Sequence, residues 1–190
     1  MKVTGLVLAG GMGRRMGGTD KGLVLFRGRP MVAHVLQRLA PQVDEILLNA
    51  NREIEAYRQF GHPVVSDTVT GYAGPLAGLH AGMLHAANPL IAMTPCDSPF
   101  LPEDLVDRLR QALLSHGADV AVVRTGDWQQ PVFSLCRTAL LPDLSRFLEE
   151  GGRKVDRWYA GLNTVEVAFD DQADAFANIN TREDLACMEQ

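Results

Sequence analysis

The chain has 190 residues, 46% of them hydrophobic and 22% charged, which is the composition of one globular domain with apolar surface enough for a core. Its formal net charge of −5 argues against broad nucleic-acid binding and against anionic membranes, so an anionic ligand must be met by local basic residues. Three widely spaced cysteines, Cys96, Cys136 and Cys187, suggest neither a disulfide framework nor a structural zinc site and fit a reducing cytoplasm.

In chain order, residues 3–8 are apolar but for Thr4 and predict a buried strand; glycine and arginine follow too soon for a secretory segment. Residues 10–22 hold six glycines, two arginines and a lysine with no periodicity. Helices are predicted over 31–39, 53–60 and 75–87, with strands over 45–49, 63–66 and 90–94 set between and after them. A helix follows over 102–116, where Pro102 suits a first turn, then strands over 120–124 and 132–135. The pattern ends with a helix over 138–149, a strand over 164–169 and a helix over 182–188, whose start carries Thr181 and Asp184 at capping-box spacing. No stretch reaches the roughly 18 consecutive apolar residues of a membrane span. Alternating strands and helices predict an α/β fold with a mostly parallel sheet, and no linker or repeat divides residues 1–190 into smaller units.

Directly after the first strand stands Leu8-Ala9-Gly10-Gly11-Met12-Gly13-Arg14-Arg15-Met16-Gly17-Gly18-Thr19-Asp20-Lys21. Ligands of open α/β sheets collect at the carboxyl ends of strands, and glycines let backbone N–H groups approach an anion without Cβ obstruction. Arg14, Arg15 and Lys21 add the positive charge a triphosphate requires, whereas the glycines alone would equally suit an ordinary surface loop. The Walker A pattern fails because Lys21 follows Asp20 and precedes Gly22, and the dinucleotide fingerprint fails because Met16 replaces its third glycine.

Asp97 lies in Pro95-Cys96-Asp97-Ser98-Pro99, behind an apolar strand and at an end that faces the phosphate loop. Mg²⁺ takes one or two carboxylates plus phosphate oxygens and water, so this aspartate suffices to anchor it; capping the Ser-Pro turn is the plainer role. Asn49 and Asp67 end two other predicted strands on the same rim. Guanine needs acceptors for N1–H and N2–H₂ and a donor for O6, which Asn, Asp and backbone groups supply, although both residues also suit ordinary strand-end turns. The five histidines lack ligand partners, Cys96 reads as a packing group, and Trp128 and Trp158 suit either ring stacking or packing.

The loop resembles that of nucleotidyltransferases with a sugar-nucleotide-transferase fold, approximately L-A-G-G-x-x-x-R-M-G-x-D-K, with one residue more between Met16 and Asp20. Asn49-Ala50-Asn51-Arg52, Ser66-Asp67, Gly74-Pro75-Leu76-Ala77-Gly78-Leu79, the Asp97 segment and Asn178-Ile179-Asn180-Thr181 extend the likeness in order over nearly the whole chain. Within that superfamily the sequence most resembles the molybdenum cofactor guanylyltransferase family. The resemblance implies a single Rossmann-like, three-layer domain of the nucleotide-diphospho-sugar transferase type. It implies GTP bound by Leu8, Ala9, Gly10, Gly11, Lys21, Asn49, Asp67 and Asp97, Mg²⁺ on Asp97, and catalysis by Arg15, Lys21 and Asp97. It also implies molybdopterin or the molybdenum cofactor as second substrate, with Arg153, Lys154, Asn178 and Asn180 on the pterin side. A solvated basic stretch and an ordinary helix cap are the competing readings there. Other cofactor-biosynthesis proteins and apo-molybdoenzymes are candidate partners, and no nucleic acid or membrane is expected. Two further readings stand beside this one: an enzyme using CTP on molybdopterin or a sugar-like phosphate, and a non-catalytic module that senses GTP.

Overall fold

The computed structural model describes residues 1–9, 20–69 and 74–188. In chain order these form β1 (Val3–Leu8), a small hairpin of β2 (Leu25–Phe26) and β3 (Arg29–Pro30), α1 (Met31–Leu39), β4 (Glu45–Asn49), α2 (Ile54–Arg58) and β5 (Val64–Val65). There follow α3 (Pro75–His85), β6 (Leu90–Pro95), α4 (Leu105–Ser115), β7 (Val120–Thr125), β8 (Trp128–Arg137), α5 (Leu141–Glu149), α6 (Val155–Tyr159), β9 (Thr164–Ala168) and α7 (Arg182–Met188).

Seven strands make one sheet in the order β5-β4-β1-β6-β8-β7-β9. β8 runs antiparallel to both neighbours and the other pairings are parallel, as expected of a mixed, mostly parallel sheet. Strands β1 and β6 are central and carry apolar side chains on both faces, because helices cover both. On one face Val32, Val35, Leu36 and Leu39 of α1 pack with Leu105, Val106, Leu109 and Leu113 of α4 and with Tyr57 of α2. On the other, α3, α5 and α6 bury Leu76, Leu79, Leu144, Leu148 and Trp158. Each fully buried aliphatic side chain stabilises these layers by about 1.5–3 kcal/mol.

Chain order creates the crevice. From β1 the chain builds β4 and β5 on one side, then crosses through α3 to place β6 on the other side of β1. Leu8 therefore pairs with Asn49 of β4 and also with Pro95 of β6, at a topological switch point where ligands of such sheets gather.

Several boundaries differ from the sequence expectation. Pro102 does not open α4: Asp104 has φ −111° and ψ 9°, and the helix begins at Leu105 after a separate turn. The strand expected at 132–135 extends over ten residues, because polar Gln129 and Gln130 pair with β7 beyond a register shift at Val122/Val123. Residues 138–140 form a 3-10 turn ahead of α5. The hairpin β2–β3 and the five-residue α6 were not foreseen, since elements so short carry too little periodicity to register. The Thr181–Asp184 capping box is formed, Asp184 N–H donating to Thr181 Oγ1 at 3.0 Å and Thr181 N–H to Asp184 Oδ2 at 2.9 Å. Among the described residues no helix is long and apolar enough to cross a membrane.

Candidate functional site

Asp20 and Lys21 re-enter at the switch point. The Asp20 carboxylate accepts from Gly22 N–H at 3.2 Å and so caps a 3-10 turn, Lys21–Leu23, from which the lysine side chain departs. Lys21 Nζ donates to Asp97 Oδ2 at 3.2 Å and to Asn180 Oδ1 at 2.5 Å. The side chains of Lys21 and Asp97 are only 20% and 12% exposed, so solvent screens this ion pair less than a surface one.

Asp97 is fixed by backbone on two sides. Cys96 N–H donates to Leu8 O at 3.0 Å, continuing the β1–β6 ladder, and Ile179 N–H donates to Asp97 O at 3.0 Å. The neighbouring Ser98 hydroxyl donates to Asn178 Oδ1 at 2.5 Å, and Asn180 N–H donates to Asp184 Oδ2 at 3.0 Å. The segment carrying Asn178 and Asn180 thus returns from β9 to lie on the Asp97 turn, and the α7 capping box holds it there.

On the β4 side of Leu8, Ala9 N–H donates to Asn49 O at 2.8 Å. The Asn49 amide donates to Asp67 Oδ1 at 2.9 Å and to Val65 O at 3.3 Å. Asn51 closes the pair from outside: its amide donates to Asp67 Oδ2 at 2.8 Å while its carbonyl oxygen accepts Asp67 N–H at 2.9 Å. Above them, α3 approaches so closely at Gly78 that a Cβ there would stand 2.6 Å from Leu8 Cδ2 and collide with the Asn49 side chain. Leu8, Ala9, Asn49 and Asp67 therefore share one rim with Lys21 and Asp97.

Gly10, Gly11 and Arg15 lie outside the described residues, as does Arg14. Of the four pterin-side candidates, Asn178 and Asn180 join the Lys21–Asp97 pair. Arg153 and Lys154 are exposed between α5 and α6, where Arg153 O would lie 3.9 Å from a Cβ on Gly74 at the start of α3. The Arg153 guanidinium donates to Leu148 O at 2.9 Å and Gly152 O at 2.6 Å, closing the end of α5.

Residues that sequence reasoning passed over also belong here. Asn51 and Ser98 sit within two residues of singled-out positions, which is the signal that would have found them. Tyr57 gave no such signal, because a tyrosine in an amphipathic helix reads as packing. Cys96 and Cys136 are buried, and burial raises both thiols, Cys136 to about 12, which makes neither a nucleophile. Trp158 is buried with its indole N–H on Asp143 Oδ1 at 2.9 Å, whereas Trp128 is exposed on the β7–β8 hairpin.

Residues 5–165 match the family described as MobA-like NTP transferase domain. A molybdenum cofactor guanylyltransferase of Cupriavidus necator is 52% identical over 98% of this chain and 96% of its own. The chain belongs to the molybdenum cofactor guanylyltransferase family. Another member of the molybdenum cofactor guanylyltransferase family, from Ralstonia nicotianae, is 52% identical over 96% of this chain and 94% of its own. The crystal structure of molybdopterin-guanine dinucleotide biosynthesis protein A from Archaeoglobus fulgidus is similar with a TM-score of 0.81 and 26% identity, covering 98% of this chain and 96% of that one. Membership of the guanylyltransferase family makes the chain a nucleotidyltransferase, as the loop resemblance implied, and favours neither the CTP-using nor the non-catalytic reading.

Proposed function

We propose that this chain acts as one domain that transfers GMP from GTP to the terminal phosphate of molybdopterin. The observation that carries the reading is the Lys21–Asp97 pair at the switch point, an ammonium and a carboxylate side by side where a triphosphate would lie. In the reaction a phosphate oxygen of the acceptor attacks the α-phosphorus in line. The new O–Pα bond forms as the bond from Pα to the bridging oxygen breaks, and the electron pair leaves with pyrophosphate. No protein nucleophile is required, so the chain's task is positioning and charge neutralisation. Lys21 is assigned to the phosphates, as is Arg15 from the loop. Leu8, Ala9, Gly10 and Gly11 are assigned to the nucleotide's backbone contacts, and Asn49 and Asp67 to the guanine.

Asp97 is the residue that would hold Mg²⁺. Among the described residues no three His, Cys, Asp or Glu side chains gather into a metal cage. A single carboxylate is nonetheless the donor Mg²⁺ takes when phosphate oxygens and water complete its shell, so the residues fit. Such an ion supplies charge stabilisation to the reacting phosphates.

Asn178 and Asn180 are assigned to the pterin side from beside Asp97, while the same assignment for Arg153 and Lys154 is supported by the family resemblance alone. The product would pass to apo-molybdoenzymes in the cytoplasm, with or without other cofactor-biosynthesis proteins. The test is direct: purified protein, molybdopterin and Mg²⁺ should release pyrophosphate and form the guanine dinucleotide with GTP. Equal turnover of CTP, or no pyrophosphate from GTP, would overturn the reading.

A further inference from the structure

Beneath the Lys21 turn lies a buried hydroxyl. Tyr57 is fully buried, and its phenol O–H donates to Asp20 Oδ1, the same oxygen that accepts Gly22 N–H. A Cβ on Gly22 would stand 2.5 Å from the Tyr57 oxygen and 3.2 Å from Cys96 Sγ. The turn that carries Lys21 therefore rests on the tyrosine, and the residue next to Asp97 walls its other side. Tyr57 is itself anchored, its N–H donating to Glu53 O at 3.1 Å while the ring packs among the residues that α1 and β1 bury.

Packing alone does not call for this oxygen, since a phenylalanine would fill the same space. A phenol donating to a carboxylate away from water makes a charge-assisted bond of defined direction. Burial pushes the Asp20 carboxyl above its ordinary value, and the hydrogen bonds from Tyr57 and Gly22 oppose that push. Burial also raises the Tyr57 phenol, which keeps it the donor.

We propose that Tyr57 is a positioning residue: through Asp20 it sets the Lys21–Leu23 turn so that the Lys21 ammonium lies on Asp97. It does not touch substrate. What Lys21 then does rests on the function proposed above.

The test is a double-mutant cycle on guanylyl transfer with Tyr57→Phe, Lys21→Ala and the double variant. Tyr57→Phe is expected to lower kcat about tenfold, with a smaller change in KM for GTP and an unchanged far-UV circular dichroism spectrum. In the Lys21→Ala background the same change should alter residual turnover by less than about twofold, because the group it positions is gone. Gly22→Ala, which drives a methyl against the same hydroxyl, is the second variant and should lose activity with the same dependence on Lys21. Wild-type kcat in Tyr57→Phe overturns the proposal, as does an equal loss in both backgrounds, the mark of a general structural defect. A wild-type protein that makes no dinucleotide instead overturns the functional reading.

Discussion

Lys21 Nζ and Asp97 Oδ2 stand 3.2 Å apart although 76 residues separate them in the chain. β1 and β6 are neighbours in the sheet, so the turn that follows the glycine-rich loop and the turn that follows β6 open onto the same crevice. The pair offers a cation for phosphate oxygens beside an anion for a metal.

Removal of either charge separates their roles. Lys21→Ala should keep the fold and lower turnover on the order of 10²–10³-fold, the scale of one lost donor in an electrostatic site. Asp97→Asn should lose activity together with Mg²⁺ dependence. Steady-state rates across a Mg²⁺ titration check both, and wild-type rates in both variants would end the assignment.

Gly78 is where α3 meets the nucleotide rim. Gly78→Ala places a methyl against Leu8 and Asn49, an overpacking that costs about 1–3 kcal/mol. A lowered melting midpoint and weaker GTP binding by calorimetry should appear together, because the atoms displaced are those of the proposed base site. Unchanged affinity would detach Asn49 from that site.

Asp67 holds two amides at once, Asn49 and Asn51. In Asp67→Ala neither amide keeps that partner, and the preference for GTP over CTP should fall by about tenfold, on the scale of one hydrogen-bonded base contact. Competition between the two nucleotides in one assay reads the ratio; a constant ratio would show that base choice lies elsewhere.

His80 links α3 to α5 through Ser145 Oγ, 3.0 Å from its Nε2, and reaches Thr68 Oγ1 at 3.3 Å from Nδ1. Burial lowers its pKa below the ordinary 6.5, with Glu149 opposing. The unfolded chain therefore takes up this proton first as pH falls. The His80 contribution to stability is full above 6.5 and is lost as pH drops from there through the folded value. Melting midpoints between about pH 7.5 and 5.5 should decline less in His80→Gln than in the wild type. Equal slopes would remove His80 from the pH dependence.

The order of strands and helices was legible in the chain because burial leaves a local period: the bounds of β1, α1 and β4 coincide with those expected from apolar spacing, and those of α7 with apolar spacing together with the Thr181–Asp184 cap. Asp97, Asn49 and Asp67 were legible for a related reason, each following a short apolar run and so standing at a carboxyl end. Four relationships were decided only by tertiary structure: the Lys21 ammonium on Asp97, Asn180 returning to the same nitrogen, Tyr57 beneath Asp20, and Arg153 turned instead to the end of α5. All but the last join residues far apart in sequence, and those contacts exist because β4 and β6 flank β1 and because the stretch after β9 folds back over β6. Hydrophobic periodicity reports which side of an element is buried. Which elements become neighbours, and so which polar groups meet, follows from packing the whole sheet.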